Sequence, residues 1–331
     1  MRKWKWWIII PVVLFLFYMA GPNPSTPTFA NTLPPVPKDA SELELYISKK
    51  ESSHKLRPDN QARIIWANDS LKQKTRYAIL YLHGFTASQA EGDPVHRQIA
   101  KKFGCNLYLS RLSEHGIDTT EQLVNLDAER LWASAREALA VATSLGDSVI
   151  IMGTSTGGTL ALMLASRFPE VYAQVLLSPN IEIFDENARL LNNPWGLQIA
   201  RFVTGSNYVF SNDTRPVYKQ YWNYGYRLEA VVQLQEMLEQ EMKPELFKKI
   251  TQPTLMLYYF KDDVHQDSVV KVNAMLKMFD HLSTPSARKK AVALPKAGNH
   301  VLGSYIKSAD VEAVVRETGI FMEQYLGMKE Q

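Results

Sequence analysis

The chain has almost no cysteine and no strong bias of charge. Its 331 residues include a single cysteine, Cys105, so no disulfide can form within the chain. Lys and Arg number 37 and Asp and Glu 34, a net charge of +3. No basic stripe interleaved with aromatic residues marks a nucleic-acid-binding surface. We therefore expect no nucleic-acid partner.

Short motifs that mark common cofactor and metal sites are also missing. The sequence has no H-E-x-x-H, C-x-x-C, G-x-G-x-x-G or P-loop pattern. The stretch "DDVHQD" offers one histidine among loop carboxylates, which is a weak metal-binding pattern. We expect neither a cofactor nor a metal.

The N-terminus, by contrast, has a distinctive pattern. "MRKWKWW" carries three cations, and an uncharged run of 15 residues follows from Trp6 to Ala20. This run is shorter than the roughly 20 residues of a full membrane span, but it suits a signal peptide or a short signal anchor. The positive start would leave the rest of the chain outside the cytoplasm. We predict a retained membrane anchor over residues 1–20, with cleavage near Ala30 and secretion as the alternative.

Beyond a proline-rich linker, predicted at 21–40, apolar strand patterns alternate with helical ones. Continuous apolar runs predict strands buried on both faces, and 3.6-residue spacing predicts helices. The strands are expected at 77–82, 105–109, 148–152, 172–177, 254–260 and 290–294, and the helices at 128–145, 157–168 and 311–326. This alternation predicts an α/β fold with a mostly parallel central sheet flanked by helices.

The segment 179–250 interrupts the alternation. It is rich in aromatic residues, shows a helical pattern over 228–242 and has no strong strand pattern. Because it falls between two sheet strands, we interpret it as a helical cap. The core would then comprise residues 41–178 and 251–331.

The five residues 153–157 read G-T-S-T-G and follow a predicted strand directly. Glycines at both ends permit a sharp turn into the next helix, with Ser155 at its apex. A serine hydroxyl needs a base to become nucleophilic at neutral pH. His300 lies in "KAGNHVLG", after the last strand, where an imidazole can reach over the sheet edge.

The imidazole in turn needs a carboxylate to orient it. "KDDVHQDSVV" offers three: Asp262, Asp263 and Asp267. Counting forward from the strand favours Asp262, whereas counting back from a helix expected at 268–280 favours Asp267. The residue types and spacing leave both open.

Two backbone amides are candidates for binding an oxyanion. One belongs to Thr156, which follows the serine, and the other to Phe85 in "LHGFTAS", after the first buried strand. We interpret His83 and His115 as residues that support loops. We expect His96 and His281 to lie on helix surfaces and His265 to be solvated.

"LHGF", "GTSTGG", an aspartate-bearing loop and "GNHV", in this order, resemble an α/β-hydrolase. The closer resemblance is to the monoacylglycerol lipase and carboxylesterase branch, whose members carry a helical cap at the place of 179–250. In that branch the acid is commonly followed by one residue and two valines, which "DSVV" resembles. The resemblance thus implies Asp267 as the acid, with Asp262 as the alternative.

The resemblance implies a serine hydrolase that cleaves carboxylic esters, on a small-molecule or lipid-like substrate, with Ser155, His300 and Asp267 as its triad. An acyltransferase or a peptidase would use the same residues. A member of the fold that only binds ligands is the remaining alternative.

Overall fold

The protein, described here from a computed structural model covering residues 4–331, contains a seven-stranded sheet and a separate two-stranded sheet within that range. The strands are β1 (Arg63–Ile65), β2 (Thr75–Leu82), β3 (Asn106–Leu109), β4 (Gly146–Thr154), β5 (Val171–Leu177), β6 (Tyr208–Phe210), β7 (Gly225–Arg227), β8 (Thr254–Tyr258) and β9 (Lys289–Ala293). The α-helices are α1 (Trp4–Met19), α2 (Ala40–Glu51), α3 (Val95–Lys102), α4 (Ala128–Leu145), α5 (Thr156–Ala165), α6 (Gly196–Thr204), α7 (Pro216–Tyr221), α8 (Leu228–Glu241), α9 (Pro244–Phe247), α10 (Val272–His281) and α11 (Val311–Gln324).

The large sheet has the order β1-β3-β2-β4-β5-β8-β9. Only β1 runs antiparallel to its neighbour, and the other strand pairs are parallel. This confirms the predicted mostly parallel sheet, and all six predicted strands are present with ends shifted by at most two residues. The sequence did not reveal β1, because its three half-buried residues are too short to show a period.

Alternation along the strands divides the core into two apolar layers. On β2, Ala78 and Leu80 pack with the helices α4 and α5, whereas Ile79 and Tyr81 pack with α3 and α11. Successive side chains of a strand point to opposite faces. A sheet covered by helices on both faces therefore needs continuous apolar runs, as the sequence shows.

The cap consists of the elements from α6 to α9, inserted between β5 and β8. Its helix α8 joins the core through buried side chains, among them Leu234 and Met237. The sequence shows no strong strand pattern in this segment, yet β6 and β7 form a small antiparallel pair. Three residues per strand are too few for a sequence pattern. The division at 179 and 250 remains a prediction.

The N-terminal helix α1 contacts the cap at its end. The ring of Phe17 stacks on Trp195 with 5.1 Å between centroids. The backbone N–H of Trp195 donates to the carbonyl of Pro22 (3.1 Å), and its indole N–H donates to the carbonyl of Phe17 (3.3 Å). Among the helices within residues 4–331, none combines the length and the apolarity needed to cross a membrane.

The proline-rich segment between α1 and α2 forms neither helix nor strand. It is nevertheless packed along α4. The indole N–H of Trp132 donates to the carbonyl of Ala30 (2.8 Å), and Thr28 donates from its backbone N–H to Glu129 (2.7 Å). Phe29 meets the Trp132 ring edge-on. The segment is thus attached to the core.

Trp132 is 1% exposed and is among the largest fully buried side chains. We expect Trp132→Ala to lower the free energy of unfolding by about 3–5 kcal/mol, because it removes a buried ring and leaves a cavity. Urea unfolding measures the difference. The control is Phe202→Ala, whose ring is 88% exposed and whose loss should change stability by less than about 0.5 kcal/mol. Equal effects of the two substitutions would contradict this account of the packing.

Candidate active site

Loops that follow the carboxyl ends of five sheet strands meet around one cavity of about 470 Å³. Parallel strands end at the same edge of a sheet, so residues far apart in sequence become neighbours there. The loop residues that line the cavity include Phe85 after β2, Ser155 after β4, Asn180 after β5 and His300 after β9. The cap covers this edge with residues such as Trp222.

Ser155 lies in a strained turn between β4 and α5. Its φ of 53° and ψ of −117° place its backbone outside the regions that residues other than glycine ordinarily adopt. The glycines beside it allow close backbone contacts: a Cβ on Gly153 would lie 2.4 Å from the carbonyl oxygen of Gly157, and one on Gly157 would lie 1.9 Å from that of Leu82. The turn therefore requires glycine at both positions.

Two backbone N–H groups near Ser155 have no hydrogen-bond acceptor among the described residues. Thr156 is the first residue of α5, where helix N–H groups have no intrahelical acceptor. Phe85 precedes Thr86, whose φ is +67° and whose own N–H donates to His115. Within residues 4–331, no group accepts a hydrogen bond from the N–H of Phe85 or of Thr156. Both were predicted as oxyanion donors.

His300 is paired with Asp267. Its Nδ1 lies 2.6 Å from Oδ2 of Asp267, which is fully buried. Burial disfavours the charged imidazole, but the Asp267 carboxylate outweighs it and raises the pKa of His300. Burial likewise opposes ionisation of Asp267, yet the His300 charge and the amides of Val269 and Val270 lower its pKa. With Nδ1 donating to the carboxylate, Nε2 is the nitrogen left to accept a proton.

The two amide contacts of Asp267 also show that it forms a turn of its own and does not cap the following helix. Oδ1 of Asp267 accepts from Val269 (2.8 Å) and Val270 (3.1 Å), forming a turn ahead of α10. The helix begins at Val272, so the expected helix at 268–280 was placed four residues too early. Asp267 is therefore not the cap of this helix.

The other two aspartates lie on the exposed part of the loop. Asp262 accepts from the backbone N–H of His265 (2.7 Å) and contacts its Nδ1 (2.8 Å). That amide is the main cause of the lowered pKa of Asp262. Asp263 is exposed. The structure brings neither of them to His300.

Two further histidines support the loops around the cavity, as expected. His83 Nδ1 donates to the carbonyl of Gly84 and its Nε2 accepts from Leu112; burial lowers its pKa to about 4. His115 accepts from Thr86, and burial lowers its pKa well below the usual value. Both rings are thereby kept neutral at physiological pH.

The prediction that His96 lies on a surface was wrong. The ring is fully buried against Tyr81, with 4.7 Å between centroids, and its Nε2 contacts the carbonyl of Gln89. Burial lowers its pKa to about 3.

Sequence reasoning missed two polar residues of the cavity. Glu91, from the short helix Gln89–Gly92, is 3% exposed, and burial raises its pKa to about 7. Asn180 donates its backbone N–H to the carbonyl of Ser155 (3.0 Å). Its position three residues after β5 was a usable signal, because polar residues just beyond parallel strands collect at the functional edge. No local pattern points to Glu91.

The lining of the cavity includes the apolar side chains of Ile183 and Val231, both from the segment 179–250. The same two residues also line a second cavity of about 540 Å³. Its wall is mostly aliphatic, from Leu190, Ile199 and Val203, and it reaches Tyr18 of the N-terminal helix. The two cavities are therefore adjacent.

Comparison with known proteins identifies the family. A family model described as the alpha/beta hydrolase family matches residues 79–317. The chain belongs to this family, which confirms the resemblance read from the sequence. No curated protein matches the chain in sequence.

Solved structures of hydrolases share the fold. One of the metagenome-derived lipolytic enzymes LipS and LipT is 18% identical, with a TM-score of 0.65 over 81% of this chain and 99% of that one. A soluble variant of monoglyceride lipase from Saccharomyces cerevisiae is 12% identical, with a TM-score of 0.59 over 80% and 91%. Est1E from Butyrivibrio proteoclasticus, with bound ferulic acid, is 16% identical, with a TM-score of 0.54 over 81% and 95%. At these identities the likeness concerns the fold.

The pairing of His300 with Asp267 predicts a titration. Asp267→Asn removes the carboxylate that raises the pKa of His300, so we expect that pKa to fall below its wild-type value, since burial alone lowers it. NMR of the imidazole nitrogens measures the shift. In the control variant Asp262→Asn, the His300 titration should stay unchanged. A shift caused by Asp262→Asn and not by Asp267→Asn would assign the acid to the exposed loop instead.

Proposed function

We propose that this protein is a serine hydrolase that cleaves carboxylic esters, with Ser155 as nucleophile, His300 as general base and Asp267 as the acid that orients the base. The observation that carries the proposal is that Ser155, in its strained turn, lines the same cavity as His300, which is paired with the buried Asp267. Strained backbone and a shifted imidazole pKa are typical of reactive sites.

In the first half-reaction, Nε2 of His300 takes the proton of the Ser155 hydroxyl while the serine oxygen bonds to the acyl carbon. The carboxylate of Asp267, held by two amides, stabilises the imidazolium that forms. The tetrahedral intermediate then collapses, its bond to the leaving oxygen breaks, and His300 gives that oxygen the proton. An alcohol leaves and an acyl-serine remains.

In the second half-reaction, water replaces the alcohol. His300 takes a proton from the water as its oxygen bonds to the acyl carbon, and then returns a proton to the Ser155 oxygen as the acid leaves. The N–H groups of Phe85 and Thr156 would hold the negative oxygen in both steps. Thr156 also begins α5, whose N-terminal dipole favours a negative charge.

We infer that the acyl group is an apolar, lipid-like chain. Supporting this, Ile183 and Val231 line both the first cavity and the adjacent, mostly aliphatic second cavity. Burying each methylene of a chain contributes about 0.8 kcal/mol. Lipolytic enzymes and a monoglyceride lipase among the proteins of similar fold agree with this class of substrate.

We also propose that the N-terminal segment holds the enzyme at a membrane, with the catalytic domain outside the cytoplasm; secretion after cleavage is the alternative. Its support is the cationic start of the sequence and the exposed apolar side chains of α1, among them Phe15 and Leu16. Fluorophosphonate labelling of membrane and soluble fractions distinguishes the two locations.

Ser155→Ala should abolish fluorophosphonate labelling and lower kcat on p-nitrophenyl esters by at least about 10⁴-fold, because no other group can form the acyl intermediate. The matched control is Ser211→Ala, which changes another serine lining the same cavity and should keep the labelling. Unchanged turnover by purified Ser155→Ala would refute the proposed function.

Val231→Trp should place a large ring where the two cavities share a lining residue. We expect kcat/KM for p-nitrophenyl dodecanoate, relative to the acetate, to fall by about tenfold or more, since at least two methylenes lose their burial. Val264→Trp, at an 84% exposed position of the acid loop, is the control and should leave the ratio unchanged. An unchanged ratio in Val231→Trp would show that the acyl chain lies elsewhere.

A further inference from the structure

A second buried carboxylate, that of Glu91, faces the candidate active site, and the mechanism above does not use it. It lies on the short helix Gln89–Gly92 between β2 and α3 and lines the same cavity as Ser155 and His300. Its side chain is almost completely removed from solvent. Burying a carboxylate costs free energy unless specific partners compensate, so its contacts indicate what it does.

The first contact is with the turn that carries Phe85. The carboxylate Oε2 accepts a hydrogen bond from the backbone N–H of Gly84. A Cβ on Gly84 would lie 2.9 Å from Oε2 and 3.0 Å from Oε1 of Glu91, and also 3.0 Å from Cβ of Ser155. Glu91 and Ser155 thus both lie within 3.0 Å of one point. The carboxylate is packed against the backbone that directs the Phe85 amide.

The second interaction is electrostatic and involves His300, which lines the same cavity as Glu91. Burial raises the pKa of Glu91, while the Gly84 amide, the charge of His300 and the indole of Trp222 oppose this. In return, Glu91 adds to Asp267 in raising the pKa of His300. The charge of Glu91 also contributes to raising the pKa of two phenols, Tyr81 on β2 and Tyr218 on α7. Both are phenols whose own pKa is raised, mainly by burial, so neither supplies a competing charge near neutral pH.

We propose that Glu91 is a positioning residue for hydrolysis at Ser155: it holds the Gly84 amide so that the Phe85 N–H faces the cavity, and its negative charge stabilises the protonated imidazole of His300. This inference rests on the proposed function. It assigns two separable effects to one side chain, a hydrogen bond and a charge.

Two substitutions separate the effects. Gln in Glu91→Gln keeps an oxygen that can accept from Gly84 but carries no charge. Ala in Glu91→Ala removes both. The control is Glu236→Gln, which makes the same change at a buried glutamate of α8 outside the cavity. Urea unfolding of all three variants establishes which of them are folded at the assay temperature.

For Glu91→Gln we expect the acid limb of kcat/KM against pH to move to lower pH, because His300 loses a charge that stabilises its protonated form. The plateau value of kcat should stay within about threefold. Glu91→Ala should in addition lower the plateau kcat by about tenfold or more, with KM nearly unchanged. The reason is that a displaced Phe85 N–H weakens its hydrogen bond to the oxyanion, which is strongest in the transition state. Glu236→Gln should match the wild type.

The proposal is overturned if the acid limb of Glu91→Gln coincides with that of the wild type, or if either variant changes only KM, which would make Glu91 a substrate contact. NMR titration of the His300 imidazole tests the charge effect without turnover: Glu91→Gln should lower its pKa. If the wild type neither reacts with a fluorophosphonate nor cleaves esters, the proposed function fails, and the titration still decides whether Glu91 acts on His300.

Discussion

The close approach of Gly157 to the carbonyl oxygen of Leu82 determines where Ser155 can lie. Strand β4 turns into α5 directly beside the end of β2, and no side chain fits between them. This contact brings the serine beside Gly84 and Phe85, which continue from β2, and it directs the first amides of α5 toward the same space. The strain at Ser155 is the cost of a turn this tight.

Around this turn, two carboxylates act on one imidazole from different elements of the fold. Asp267 accepts a hydrogen bond directly from His300 and is itself stabilised by two amides, so it stays ionised despite complete burial. Glu91 has one backbone donor and the more costly environment, and its pKa lies near neutrality. Active sites commonly give two carboxyl groups different roles by placing them in environments that separate their pKa values.

The elements of the core were predictable because burial on both faces of a parallel sheet leaves a continuous apolar run. The residues 128–145 likewise formed a helix with the expected ends, since Asp127 caps its first turn and accepts from the N–H of Arg130. Prediction failed where partners are distant in sequence. His96 sits in a short helix with charged neighbours, which indicates a surface, but its ring is enclosed by Tyr81 of β2.

The candidate site shows the same division. The turn at Ser155 and the loop of His300 are local patterns, and both residues meet at the cavity where they were expected. Local spacing left Asp262 and Asp267 open, because the distinction depends on which aspartate faces a histidine 33 residues further along. Glu91 could not be found at all, since its significance arises only from the backbone of Gly84 and the ring of His300 in three dimensions.

The chain before α2 is held at two places that belong to different parts of the fold. Its residues near Thr28 and Ala30 are bonded to α4 of the core, and its residues at Phe17 and Pro22 are bonded to Trp195 at the start of α6 in the cap. Residues 23–27 connect these two attachments and so link the core to the cap. If α6 moved away from α4, this segment would have to extend or the stacking of Phe17 on Trp195 would have to break. A force applied to the N-terminal helix would thus act on the part of the cap that lines the second cavity.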